Sequence, residues 1–209
     1  MVKLIGKMEI KRTETEVLIL DAARKVFLEN GFDGTTMQRI ADEAGINKAL
    51  VHYYFRSKDR LFEAVFIEAF AQMVPNLLKI FTSEAEFTEK IRGLVNTYIS
   101  ALQQYPQIPQ FILHELHRNP GRIIELMHST GLKPEIVMNI IRQESNKGNI
   151  IRIDPSQLIV NLLAMCIFPF AARPMIQGFI FQNDVKAYEA FLEKRKTEVA
   201  EFIIKAIKP

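Results

Sequence analysis

Apolar residues recur at three- and four-residue spacing along almost the whole chain, and no run alternates apolar and polar positions as a half-buried strand would. The pattern predicts an all-α protein. A first helix opens at Thr13, where Thr13-x-x-Glu16 has the form of a capping box, and carries Val17, Leu20, Ala23 and Phe27 on one stripe. Gly31 is its expected end. Thr35 and Thr36 both suit the N-cap of a short second helix, and Gln38, three residues after Thr35, fits another capping box. Ile40, Ala41 and Ala44 then face inward. Gly45 supplies a tight turn, Asn47 caps a third helix from Lys48 to Phe55, and Ser57 caps a fourth that continues through "KDRLFEAVFIEAF". Pro75 is expected to kink or end it.

Beyond Ser83 the pattern continues as helices of ordinary length, with breaks at 106–109, 119–121, 131–134 and 148–155 that carry Gly, Pro or Asn. The run "LIVNLLAMCIFPFAA", Leu158 to Ala172, has one polar residue, Asn161. It is too short to span a bilayer and contains a proline, so it reads as a helix buried on most of its circumference. A final helix from about Asp184 to Ile207 carries a broad apolar stripe that includes Tyr188, Phe191, Leu192, Val199, Phe202 and Ile203. These two helices are the candidates for a dimer surface, with Leu162, Met165, Phe168, Phe191, Phe202 and Ile203 as contact residues. The competing reading puts both helices in one monomeric core.

With 209 residues, 48% of them hydrophobic, the chain has ample material for a sizeable core. The N-terminal "MVKLIGKMEIKR" scatters charges through what would be the apolar stretch of a signal peptide, so a cytoplasmic protein with no membrane partner is expected. Its lysines, with Lys11 and Arg12, can form a weak basic arm. The single cysteine, Cys166, excludes an internal disulfide and any multi-cysteine metal site. The net charge of +3 becomes informative through its position. Ile46 to Arg60 holds Lys48, Arg56, Lys58 and Arg60 against one acid, Asp59, and so accounts for all of it. That segment has an electrostatic reason to prefer polyanions.

"HELHR", with His114, Glu115 and His117, invites a metal reading, but its histidines stand three apart rather than the four of the zinc-protease pattern. A solvated or pocket-edge face is the simpler account. No serine, cysteine or carboxylate arrangement suggests catalysis, and no glycine-rich loop suggests nucleotide binding, so neither a cofactor nor an enzymatic role is expected.

Two short helices joined by a glycine turn with a third helix behind them is the arithmetic of a helix-turn-helix unit. The stretches "AARKVFLENGFDGTT", "IADEAGI" and "HYYFRSKDRLF" occur in order and spacing within residues 13–66. This region resembles the DNA-binding domain of the TetR (tetracycline-repressor-like) family of bacterial transcription regulators. The resemblance implies an N-terminal three-helix DNA-binding domain over 1–56 and a helical ligand-binding and dimerisation domain over 57–209. It also implies a homodimer on double-stranded DNA with a palindromic operator. Carried over by position, Thr36 meets phosphate, Gln38 and Lys48 reach a base or phosphate, and His52, Tyr53, Tyr54 and Lys58 touch the backbone. Two residues depart from the family pattern. Leu50 stands where threonine is common, which favours a thymine methyl over a hydrogen bond. His52 stands where tyrosine is common, so if it meets phosphate, affinity weakens as the imidazole loses its proton.

In the family the second half binds a small-molecule effector that moves the fourth helix. Phe66, Phe70, Met73, Tyr98, Tyr105, Phe111 and Met127 are candidate lining residues here, with His128 and Arg142 as polar contacts. The fifteen phenylalanines and eight methionines suit an adaptable pocket, and equally suit any helical core. Expectation therefore falls on a ligand-responsive transcriptional regulator, most often a repressor. The alternatives are a regulator controlled by a protein partner and a helical ligand- or metal-binding enzyme or carrier whose helix-turn-helix likeness is incidental.

Overall fold

The computed structural model describes residues 12–209 except 107, 119 and 130–132, and leaves aside the side chains of 69–72, 111, 114, 115, 118, 122, 126 and 129. Among the described residues all regular structure is helical. The elements run α1 (Glu14–Gly34), α2 (Met37–Ala44), α3 (Lys48–Phe55), α4 (Lys58–Thr82), α5 (Phe87–Gln104), α6 (Ile108–Arg118), α7 (Pro120–Ser129), α8 (Pro134–Asn146) and α9 (Pro155–Ala171). A single turn, α10 (Arg173–Met175), and a π-helical turn (Ile176–Ile180) then lead to α11 (Val185–Ile207).

The first three helices are cut to length by their caps. The Thr13 hydroxyl accepts from the Glu16 N–H at 3.2 Å and the Glu16 carboxylate accepts from the Thr13 N–H at 2.8 Å, which completes the expected capping box. Gly31, at φ +66°, takes the chain out of helical geometry inside α1, and three more residues turn before it straightens at Thr35. The start of α2 differs from expectation. Thr36 alone caps it, accepting from the Arg39 N–H at 3.2 Å. Thr35 is buried and donates to the carbonyls of Val26 and Gly31, so the Thr35–Gln38 box does not form, and Gln38 instead donates to Asp42 at 2.8 Å. Thr35 closes the turn behind Gly31, which the local pattern could not show.

Ile19, Leu20, Ala23, Val26 and Phe27 of α1 pack with Ile40, Ala41 and Ala44 of α2, Val51 of α3, and Leu61, Phe62, Val65 and Phe66 of α4. Phe27 and Phe62 meet edge to face at 4.7 Å, with Phe32 5.3 Å from Phe62. The helix α4 then continues through Pro75, contrary to the expected break. Val74, Leu77 and Phe81 are buried and α4 packs on α5, so tertiary contact outweighs the backbone hydrogen bond the proline removes. By length and composition α4 is also apolar enough to cross a membrane, and its buried residues belong to the same hydrophobic core as those of α1 and α5.

In the second half α5 is central, packing on α4, α9 and α11 through Phe87, Ile91, Leu94, Val95, Ile99 and Leu102. Arg92 of α5 reaches Glu201 of α11 at 2.7 Å. The buried circumference expected for α9 is only partly supplied by its own chain: Leu158, Leu162, Cys166 and Phe170 are buried while Val160, Leu163 and Phe168 are exposed. Of the proposed dimer residues, Leu162 and Ile203 lie in this chain's own core, Met165 and Phe191 are half-buried, and Phe168 and Phe202 stand 55% and 61% exposed. Burial pushes the Cys166 thiol up to about 12, which makes it an inert core residue.

Pro169 lies inside α9 and lacks the N–H that would bond the carbonyl four residues back, that of Met165. Arg195 of α11 supplies the missing donor, its Nη2 bonding the Met165 oxygen at 2.7 Å. The Tyr188 hydroxyl bonds the Pro169 carbonyl at 3.0 Å from the same helix. The proline thus fixes how α11 docks on α9. Arg195→Met should lower stability by about 1–3 kcal/mol, the cost of leaving a buried carbonyl unpaired. In a Pro169→Ala background, where the new N–H can bond Met165, urea unfolding should show a clearly smaller loss; equal losses would contradict the account.

Candidate nucleic-acid interface

The turn between α2 and α3 is set by Gly45, at φ +66° and ψ +29°, whose N–H bonds the Asp42 carbonyl while Ile46 N–H bonds that of Ala41 at 3.0 Å. A left-handed residue there is natural to glycine. The Asn47 side chain caps α3 by accepting from the Ala49 N–H at 2.8 Å. Val51, wholly buried, pins the inner side of α3 to the core, and Phe55 and Tyr54 lean against it half-buried. Lys48, Ala49, Leu50, His52 and Tyr53 are left facing solvent.

This is an unusual outer face for a short helix. Tyr53 is 73% exposed and meets Tyr54 edge to face at 5.2 Å. Lys48 and His52 stand one turn apart on it. His52 Nδ1 lies 3.2 Å from the Arg56 carbonyl, which aims the ring along the helix end. Thr36 and Gln38 are exposed at the start of α2. These six residues share the accessible rim of the helix-turn-helix unit.

Lys58 stands apart from them. Its ammonium donates to the Phe32 carbonyl at 2.8 Å and lies 4.3 Å from the centre of the Phe32 ring. It bridges α4 to the turn after α1, a role the sequence reading missed. Arg39 was also missed: exposed on α2, it donates to Asn30 and to the Gly34 carbonyl at 2.8 and 2.9 Å. Its place beside the Thr36 cap was readable from α2's periodicity.

An apolar cavity of about 190 Å³ is lined by Met73 of α4, Tyr98, Ala101, Leu102 and Tyr105 at the end of α5, Ile108, Pro109, Ile112, Leu113 and Leu116 of α6, and Ile167 of α9. Of the nine candidate lining residues, Met73, Tyr98 and Tyr105 are there. Phe66 belongs instead to the core under α1, and the side chains of Phe70 and Phe111 lie outside the described residues. Met127, His128 and Arg142 are exposed, off the cavity wall, Arg142 donating to Asn139 at 3.0 Å. Aromatic residues drew the sequence reading, whereas the wall is largely the aliphatic stripe Ile108, Ile112, Leu116, four residues apart on α6. Burial raises the pKa of both cavity tyrosines, so their hydroxyls stay protonated. No group of three metal-ligating side chains occurs among the described residues; His117 Nδ1 lies 2.7 Å from the Leu113 carbonyl, and the His114 side chain is not described.

A two-helix reader backed by a four-helix core, with a second helical domain behind it, defines the chain as a helix-turn-helix DNA-binding transcriptional regulator. Residues 19–65 match the family of bacterial regulatory proteins known as the tetR family. It is 26% identical over 210 residues to the HTH-type transcriptional regulator RutR of Escherichia coli strain K12, covering all of this chain and 97% of that one. It is 22% identical over 181 residues to a protein named "Probable HTH-type transcriptional regulator YttP" of Bacillus subtilis strain 168, covering 85% of this chain and 87% of that one. Its fold matches the crystal structure of a TetR/AcrR-family regulator from Thermobifida fusca with a TM-score of 0.67 at 18% identity, over 90% of this chain and 97% of that one.

The bridge made by Lys58 generates a prediction that needs no DNA. Lys58→Met should lower stability by about 1–2 kcal/mol, since it removes a hydrogen bond and a cation–π contact. An unchanged urea midpoint would free Lys58 for the phosphate role.

Proposed function

We propose that the chain is a homodimeric, ligand-responsive repressor that places its α3 helices in successive major grooves of a palindromic operator. The observation that carries this reading is the outer face of α3, where Lys48, His52 and Tyr53 stand free of the core that Val51 anchors. Phosphate contacts from Thr36, His52, Tyr53 and Tyr54 fix register and supply most of the affinity, while Lys48 and Gln38 read bases. Leu50, 37% exposed on the same face, is suited to a thymine methyl. Such a protein works in the bacterial cytoplasm.

Two α3 helices must sit about 34 Å apart to meet adjacent grooves, so a fixed dimer is part of the mechanism. The exposed Phe168 and Phe202, next to half-buried Met165 and Phe191, support a dimer surface built from α9 and α11. The apolar cavity lies against α4, so an apolar effector that binds one setting of α4 more tightly shifts the spacing between readers.

Fluorescence anisotropy with the DNA upstream of the chain's own gene should show binding far tighter than to a shuffled duplex, and weaker at higher salt. Equal weak binding to both would contradict the operator assignment. Lys48→Ala with Tyr54→Phe should weaken that binding at least tenfold with little change in melting temperature. Phe202→Asp should yield monomers in sedimentation at micromolar concentration; a persistent dimer would move the interface elsewhere.

A further inference from the structure

Tyr105 touches both the cavity and the DNA-binding half. It ends α5, where its N–H bonds the Ala101 carbonyl at 3.0 Å and its carbonyl accepts from Ile108 at 3.1 Å, so it forms the joint between α5 and α6. It lines the apolar cavity, is 1% exposed, and its hydroxyl is buried with no hydrogen-bond partner among the described residues. A buried hydroxyl without a partner is rare and costly in a folded protein.

Tyr105 also meets the DNA-binding half through its ring. The Arg24 guanidinium of α1 lies 5.6 Å from its centre. Arg24 in turn holds Glu68 of α4 at 2.6 Å, and Glu68 accepts a second bond from Arg12 at 3.2 Å, just ahead of α1. Arg24 Nε is buried and also lacks a partner, so two of the three such atoms among the described residues belong to this one contact. The charges of Arg24, Glu68 and Asp21 all act on the Tyr105 hydroxyl, while burial keeps it protonated and therefore a donor in need of an acceptor.

We propose that Tyr105 is the effector-sensing residue: the effector is an apolar molecule with a hydrogen-bond acceptor that takes the Tyr105 hydroxyl, and the ring's movement reaches α1 through Arg24 and Glu68. The inference rests on the ligand-responsive reading above. The rest of the described wall is almost wholly apolar, so an acceptor placed elsewhere in it would lose its hydration without return. A single hydrogen bond can therefore select both the ligand and its position. Because Arg24 and Glu68 tie α1 to α4, a ring displaced from Arg24 alters how the reader is held on α4.

The test uses two isosteric probes, cyclohexanone, which carries an acceptor, and methylenecyclohexane, which does not, on the full-length protein. Calorimetry should show cyclohexanone binding roughly fivefold to tenfold more tightly. Tyr105→Phe should bring that ratio to about one, while Tyr98→Phe should leave it standing. Arg24→Lys keeps the charge paired to Glu68 but loses the planar stack; it should bind cyclohexanone as the parent does and yet lose most of the ketone's effect on operator affinity. If neither probe binds, both the ligand-responsive reading and this inference fail. If both bind equally, the cavity reading stands and the Tyr105 assignment is overturned. If Arg24→Lys still responds on DNA like the parent, the route through Arg24 is overturned while the sensing hydroxyl survives.

Discussion

One continuous helix runs through the hydrophobic core from the reader to the second half of the chain, and the rest of the molecule is arranged around that fact. The twenty-five residues of α4 extend roughly 37 Å at 1.5 Å per residue. Its first half contributes Leu61, Phe62, Val65 and Phe66 to that core and its second half Met73, Val74, Leu77 and Phe81, and the helix packs on α1, α3 and α5. Neither half of the molecule can shift against this helix without losing buried apolar area. Any signal between the cavity and α3 must therefore move α4 or slide something along it. The polar contacts that bridge the two halves sit beside it: Arg12 and Arg24 on Glu68, and Arg24 over Tyr105.

The division of labour in the reader follows from the same economy of contacts. The helix α3 has eight residues and is too short to be stable alone, so it exists because Asn47 caps it and Val51 is locked into the core. That arrangement leaves Lys48, Ala49, Leu50, His52 and Tyr53 facing solvent. Lys48, His52 and Tyr53 can consequently be chosen for a partner, whereas Lys58, the residue after the next cap, is tied to Phe32.

Much of this was legible in the sequence because the helices are bounded by local chemistry. Thr13, Gly45, Asn47 and Ser57 act at the positions where their side chains or backbone freedom are needed, and the structure follows. Expectation failed where a distant partner decides the outcome. Thr35 was indistinguishable from Thr36 until Val26 and Gly31 supplied its acceptors. Pro75 does not break α4, which packs on α5, and the carbonyl of Met165 that Pro169 leaves without a donor is taken by Arg195, thirty residues along the chain. The cavity wall was half seen for a related reason: periodicity shows which residues are apolar, but only packing shows which of them border an empty space. The Arg24–Glu68–Tyr105 contact had no sequence signal, since its members are spread over three helices.

The central claim is that the exposed face of α3 meets a phosphate backbone, and the salt dependence of operator binding tests it most directly. Plotting log Kd against log salt for the parent and for Tyr53→Phe, Lys48→Ala and Lys48→Met variants isolates the charge on α3 from its shape. The account predicts a steep slope for the parent and for Tyr53→Phe, reduced by about one unit in both Lys48 variants as a cation held close to the phosphates is removed. Identical slopes in all four proteins would mean that α3 does not face the DNA.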